Sequence, residues 1–429
     1  MKLNLNKVYI ATISFIILSS NLYSQCNGRY QDEIFSSISV NTVYYSDVYF
    51  DNSHQMDIYI PDNDTLTERP VVIYLFGGAY ITGSKNNTDC VDFCNYFAKR
   101  GYVAIAANYR LSNNPILFSL DQQQQYSTVL KAMADLKSLI RYIKKDHIQS
   151  NILKIDTNSI FVGGYSAGAV TAIHSAYVDD ITDLPLSPVN VQSIANNIGG
   201  SLEGDAGNMG YSSNFTGVFS YAGGINDLNW IDINDEPIFA VHGTNDNVVN
   251  FNCGPAFNLI TALDLCGLGD MSNVLTSNGI IFDELVLSGI DHYWPSNGIG
   301  NSNFSNALEK TKDFLFDLLP CNNSLGYPSE INSVNIYPNP TTNILHIELN
   351  DNIIPIVKIY NMYGNKIDEQ EGNDILIDNY SSGTYLIEIM NNNESTFKKF
   401  IKYWMFFRVS YESIFKYNYS KLLMKNNGI

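Results

Sequence analysis

Basic residues are scarce in this chain, with 25 Lys and Arg against 43 Asp and Glu in 429 residues and a formal net charge of -18. Binding a phosphate backbone or an anionic lipid surface depends on clustered Lys and Arg, so nucleic acid is excluded as a partner. Charged residues of both signs make up only 16% and hydrophobic ones 45%. Such a balance excludes a disordered chain and predicts a globular one. No Cys or His spacing forms a zinc site and no HExxH helix is present, so nothing calls for a metal or another cofactor.

A long apolar run is also missing. The N-terminal stretch MKLNLNKVYIATISFIILSSNLYSQ carries two lysines, then an apolar run from Val8 to about Leu18, then small polar residues. A membrane-spanning helix needs about 18 or more apolar residues, so this layout predicts a secretory signal peptide over 1–24, cleaved after Ser24, and no transmembrane segment in the mature chain. Gln25 stands where lipidation of Cys26 would want a small residue, which disfavours a lipid anchor. Export permits disulfides among Cys26, Cys90, Cys94, Cys253, Cys266 and Cys321, in more pairings than sequence can rank. One pairing is argued against. If CVDFCNYFAKRG is helical, Cys90 and Cys94 have Cβ atoms roughly 5–6 Å apart, beyond the roughly 3.5–4.5 Å that a disulfide spans.

From about Thr42 short β-type runs alternate with helical patterns. HQMDIYIP, PVVIYLFGG, YVAIAANYR, SIFVGG, GVFSYAGG, PIFAVHGT and FDELVLSG read as strands. CVDFCNYFAKRG, STVLKAMADLKSLIRYIKKD, SAGAVTAIHSAY, a stretch around Ala256 to Leu265 and a last one from about Asn303 to Leu318 read as helices. Near-continuous apolar strands separated by helices predict an α/β domain over 25–320, built on a mostly parallel sheet covered on both faces. Residues 179–214, rich in Asp, Asn, Gly, Ser and Pro, read as an irregular insertion over the sheet edge. After a linker at 321–330 the texture changes. ILHIEL, VKIYNMYG, DILIDNYS, GTYLIEI and TFKKFIK predict a small all-β sandwich over 331–402, followed by an atypical basic and aromatic tail over 403–429.

The segment IFVGGYSAGAVTA places Ser166 between two glycines at a strand-to-helix turn, the pattern of a nucleophile elbow. A serine hydroxyl is a feeble nucleophile and needs a base, a group to orient the base and donors for an oxyanion. In VHGTNDNVV, Asp246 follows an apolar strand, where parallel sheets collect functional residues. The chain order Ser, acid, His leaves His292 in LSGIDHYWP as the base, because His346 alternates within the C-terminal strands and His242 precedes the acid and reads as structural. Donors are expected from LFGGAY, as the backbone N–H groups of Gly78 and Ala79, joined by that of Ala167.

The segments IYLFGGAYITGS, YVAIAANYRLS, IFVGGYSAGA, VHGTNDNVV and SGIDHYW resemble the carboxylesterase and hormone-sensitive-lipase-like branch of the α/β-hydrolases, over about residues 40–319. The resemblance implies a serine esterase with Ser166 as nucleophile, His292 as general base and acid, Asp246 as the orienting acid and Gly78, Ala79 and Ala167 as oxyanion donors. The chain departs from the family's His-Gly-Gly-Gly, writing Phe76, Gly77, Gly78 and Ala79 in its place. INSVNIYPNPTTNILHIEL, with SSGTYLIEI and KKFIK, resembles the sorting domain of the type IX secretion route, which implies that machinery as a partner and a secreted or cell-surface location. The substrate implied is a small-molecule or polysaccharide-linked ester. A serine peptidase of the same fold and a non-catalytic exported binding protein on a hydrolase scaffold are the alternative readings.

Overall fold

The computed structural model describes residues 26, 28–320, 334–349, 354–361, 366–391 and 394–402. The expected signal peptide over 1–24, linker over 321–330 and tail over 403–429 lie outside the described residues. By contact the chain divides into two compact units, Met1–Glu330 and Ile331–Ile429.

The first unit is built on an eight-stranded sheet. In chain order its elements are β1 (Ile38–Tyr44), β2 (Gln55–Pro61), β3 (Arg69–Leu75), helix α1 (Thr88–Ala98), β4 (Val103–Ala107), α2 (Pro115–Leu120), α3 (Gln122–Gln149), β5 (Ile155–Tyr165), α4 (Ala167–Tyr177), α5 (Val191–Asn197), β6 (Gly217–Tyr221), β7 (Ile238–Gly243), the two-residue pair β8 (Gly254–Pro255) and β9 (Asp264–Leu265), α6 (Leu268–Asn278), β10 (Phe282–Leu287) and α7 (Ser302–Asp317). The sheet order is β1-β2-β4-β3-β5-β6-β7-β10. All neighbours from β4 to β10 pair in parallel, whereas β1 and β2 add an antiparallel margin.

Every residue of β3 and β4 is buried, which is why PVVIYL of β3 and VAIAA of β4 read as unbroken apolar runs. Helices close both faces. On α1, Cys90, Phe93, Cys94 and Phe97 recur at helical spacing and are buried, and Phe93 stacks on Phe219 of β6 at 4.8 Å. Cys90 and Cys94 are buried free thiols, as helical spacing requires. Helix α3 starts where the Asp121 carboxylate accepts the Gln123 N–H at 2.8 Å and buries a stripe that includes Leu130, Met133, Leu136 and Ile140.

Two expectations need correction. The stretch from Ala256 to Leu265 is not a helix but a hairpin-like loop with a short 3-10 turn at Ala256–Asn258, bounded by β8 and β9. A disulfide joins Cys253 to Cys266. A helix between them would hold those ends about 20 Å apart, so the bond and a helix exclude one another. The helix of this region is α6, where only a few apolar residues, among them Leu268, Met271 and Leu275, face the core. The insertion 179–214 is not wholly irregular, since it contains a 3-10 turn at Ile181–Asp183 and α5. It packs on α3, with an Arg141–Glu203 ion pair and a Ser138 Oγ bond to the Ala206 carbonyl at 2.7 Å. It also reaches the loop after edge strand β1, where Ser46 Oγ donates to the same carbonyl at 2.7 Å.

The second unit is all-β. One sheet has the order β11 (Asn335–Tyr337), β12 (Ile344–Glu348) and β15 (Asp374–Leu376); the other has β14 (Lys366–Glu371), β13 (Ile356–Asn361), β16 (Gly383–Asn391) and β17 (Glu394–Lys402). All their pairings are antiparallel. Leu345 and Ile347, Val357 and Ile359, and Ile387 and Ile389 are buried as alternate residues along their strands, giving the sandwich-like core that the period-2 pattern predicts.

Candidate active site

The parallel strands end along one edge of the sheet, and each hands over to a loop that bears a polar group. The turn after β5 carries Ser166, the loop after β7 carries Asp246 and the loop after β10 carries His292. Ser166 has φ 52° and ψ -119°, a left-handed backbone at the start of α4. Its N–H donates to the Tyr221 carbonyl at 2.9 Å, so a neighbouring strand holds the bend. The two elbow glycines answer to one atom. A Cβ on Gly164 or on Gly168 would stand 2.1 Å from the carbonyl oxygen of Leu75, at the end of central strand β3. That backbone cannot retreat without breaking the sheet. Gly168→Ala is therefore expected to destabilise the unit by about 2 kcal/mol or more, measured as a fall in melting temperature.

These bends bring together three side chains far apart in sequence. Ser166 Oγ lies 2.8 Å from His292 Nε2, and His292 Nδ1 lies 2.6 Å from Asp246 Oδ2. All three residues are buried, at 5%, 3% and 4% exposure for Ser166, His292 and Asp246. The carboxylate accepts from His292 Nδ1, which leaves Nε2 as the acceptor facing the serine hydroxyl. Asp246 is itself held, because Oδ1 accepts the N–H groups of Val248 at 2.8 Å and Val249 at 2.9 Å. Burial pushes its carboxyl up, but hydrogen bonds from His242 and His292 outweigh that and hold it well below the usual carboxylate range. The Tyr165 hydroxyl donates to the His292 carbonyl at 3.2 Å, and the two rings lie 5.2 Å apart.

His242, read from sequence as merely structural, touches this network. Its Nε2 lies 2.9 Å from the Val249 carbonyl and 3.3 Å from Asp246 Oδ2. A carbonyl can only accept, so Nε2 carries the proton and brings a second N–H to the same carboxylate oxygen that His292 Nδ1 meets. The signal was present as the four-residue spacing from His242 to Asp246. It went unused because their contact depends on the turn at the end of β7.

The loop after β3 approaches the same place. Phe76 stacks on Tyr109 with ring centroids 4.3 Å apart, and the Tyr109 hydroxyl donates to the Phe76 carbonyl at 2.6 Å. An aromatic clamp thus fixes the position where the resembling family keeps a hydrogen-bonding His. Gly78 has φ 145°, and a Cβ there would stand 1.9 Å from the Thr82 carbonyl oxygen; Ala79 follows with φ 53°. The N–H groups of Gly78, Ala79 and Ala167 donate to no other described residue. Gly78, Ala79, Ser166 and His292 line one groove of about 660 Å3, while Ser166, Ala79 and Ala167 also line an apolar cavity of about 280 Å3. Among the described residues no cluster of His, Cys, Asp and Glu could hold a metal ion, and no helix is long and apolar enough to cross a membrane.

Residues 56–199 match the family model described as BD-FAE, and residues 335–403 match the secretion system C-terminal sorting domain. No curated protein matches the chain. Among solved structures, it is similar to Thermogutta terrifontis esterase 2 phosphorylated by paraoxon, at 22% identity over 65% of this chain and 94% of that one, with a TM-score of 0.47. It is also similar to a truncated carbohydrate esterase from gut microbiota, at 18% identity over 67% of this chain and 98% of that one, with a TM-score of 0.48. On the family matches, the chain joins a BD-FAE domain, an esterase-type α/β-hydrolase, to a type IX secretion sorting domain that marks a secreted or cell-surface protein.

Proposed function

We propose that the first unit cleaves carboxylic esters through an acyl-enzyme on Ser166. The observation that carries this reading is the buried hydrogen-bonded line from Ser166 Oγ through His292 to Asp246. In the proposed mechanism His292 Nε2 takes the serine proton as Oγ attacks the ester carbonyl, then returns it to the departing alcohol. Asp246 keeps the imidazole in the tautomer that leaves Nε2 free and stabilises the imidazolium as it forms. The N–H groups of Gly78, Ala79 and Ala167 are the proposed donors to the oxyanion. Water then enters where the alcohol left, and the same His292 activates it.

Hydrolysis of a nitrophenyl ester with a burst of nitrophenol, together with a Ser166 adduct of acyl mass, tests the reading. A chain that cleaves no ester and takes up no acyl group sinks it. The proposed substrate is a small-molecule or polysaccharide-linked ester outside the cell. We further propose that residues 1–24 are a cleaved signal, 25–320 the catalytic part, 321–330 a linker, 331–402 the sorting domain and 403–429 a tail foreign to it. N-terminal sequencing and the mass of the exported protein check these boundaries; an exported chain that retains residues 1–24 contradicts them.

A further inference from the structure

Ser166 opens on two cavities, and His292 borders only the groove. A general acid must reach the oxygen it protonates, so the alcohol half of an ester leaves along the groove. This placement rests on the ester-hydrolase reading above. Part of the groove wall comes from the start of α1 and the turn before it, with Asn86, Asn87, Thr88 and Asp89. Among the described residues no Lys or Arg lines the groove.

Asp89 stands out in that wall. It is only 2% exposed, and its Oδ2 accepts the Tyr74 hydroxyl at 2.9 Å. Among the described residues no Lys, Arg or His pairs with it, and Lys85, four positions before it, is engaged with Asp57 at 2.6 Å. Taking a carboxylate out of water without a counter-charge is costly. Burial pushes its pKa up to about 6, against the N–H groups of Asp89 and Cys90 and the Tyr74 hydroxyl, which favour the charge. The structural contact does not account for that charge, because the side-chain oxygen of an Asn would accept the same bond from Tyr74. Nor does the line from Ser166 through His292 to Asp246 use it.

We propose that Asp89 sets the charge preference of the groove, turning away esters whose alcohol half is anionic and favouring neutral or cationic ones. Beside a protein wall the effective dielectric constant is about 20 against about 80 in water, so a charge in the groove feels this one carboxylate several times more strongly than it would in bulk. The preference holds above the folded pKa of Asp89 and fades as pH falls through about 6. Its neighbours do not imitate that change. Burial pushes up the hydroxyls of Tyr74, Tyr109 and Tyr165 and the thiols of Cys90 and Cys94, so all stay neutral from about pH 5 to 8. Asp92 is the other acid on this side of α1, and its Oδ2 accepts the Ile299 N–H at 2.9 Å. His292 borders the groove as well, but kcat/KM counts only enzyme with a free His292, whichever ester is used.

The test uses the full chain and three acetate esters of matched shape: 4-(sulfomethyl)phenyl acetate, its neutral sulfonamide, and the cationic 4-(trimethylammoniomethyl)phenyl acetate. All three pass through one acetyl-enzyme, so a difference in kcat/KM belongs to the step that expels the alcohol. Salt at about 0.3 M screens the field of the distant acidic surface. At pH 8 the neutral ester should exceed the sulfonate by about tenfold or more in kcat/KM, and the cation should exceed the neutral ester by about threefold. Asp89→Asn should bring the neutral-to-sulfonate ratio below about threefold. Since a change at a buried residue can unfold a protein, the pH series on the unaltered chain gives a parallel reading. There the ratio should fall toward the same value between about pH 8 and pH 5, while the sulfonate keeps its charge throughout. Equal use of the three esters at pH 8, or a ratio that neither Asp89→Asn nor acid reduces, overturns the inference and leaves the hydrolase reading standing. Failure to cleave any ester overturns both.

Discussion

Ser166→Ala is expected to lower kcat for nitrophenyl esters by about 10³-fold or more while the protein melts within a few degrees of the parent. The elbow explains why both should hold. The left-handed backbone of Ser166 is fixed by its N–H bond to the Tyr221 carbonyl and by the fit of Gly164 and Gly168 against Leu75, and none of these contacts uses the hydroxyl. Among the described residues the hydroxyl bonds only to His292 Nε2, at 2.8 Å. Its loss removes the reacting atom and one hydrogen bond, worth about 1 kcal/mol. Steady-state kinetics and a melting curve on the same sample decide the matter; near-normal turnover in a folded variant would show that the chemistry lies elsewhere.

Asp246→Asn is expected to cost about 10⁴-fold in kcat, because an amide can donate to His292 Nδ1 and thereby favour the tautomer with its proton on Nε2. Two further substitutions separate the histidines. His292→Ala should cost about 10³-fold or more, whereas His242→Ala, which leaves the His292 bond to Asp246 in place, should cost roughly tenfold. The reverse ranking would exchange their roles. A stability readout follows from the depressed carboxyl. With a folded pKa below the unfolded value of about 3.9, Asp246 contributes stability above that value and loses it as pH falls toward the folded pKa. Between about pH 5 and pH 3 the melting temperature of the parent should therefore fall more steeply than that of Asp246→Asn.

The parallel sheet was legible because its strands are buried on both faces. The unbroken apolar runs of β3 and β4 leave no period-2 ambiguity, and the elbow sequence needs no partner to be recognised. Segments whose structure depends on remote contacts were not legible. β14, KIDEQE, is a polar edge strand without apolar alternation, and β11 spans only three residues. The apolar residues between Ala256 and Leu265 imitate a helix until the Cys253–Cys266 bond is known. The bond from Gln125 Nε2 to the Thr261 carbonyl was hidden for the same reason, because the two residues are 136 positions apart.

That disulfide ties down one wall of the apolar cavity beside Ser166. The loop it closes supplies Phe257, Leu259 and Leu263 to the cavity wall, whereas Ser166, Asp246 and His292 rest on the sheet and need no covalent tie. A bond closing a loop of this size restricts the unfolded segment by about 3 kcal/mol, and it forms only in an oxidising compartment. A chain in which that bond is open would keep Ser166, Asp246 and His292 on the sheet while the wall formed by Phe257, Leu259 and Leu263 loses its covalent tether.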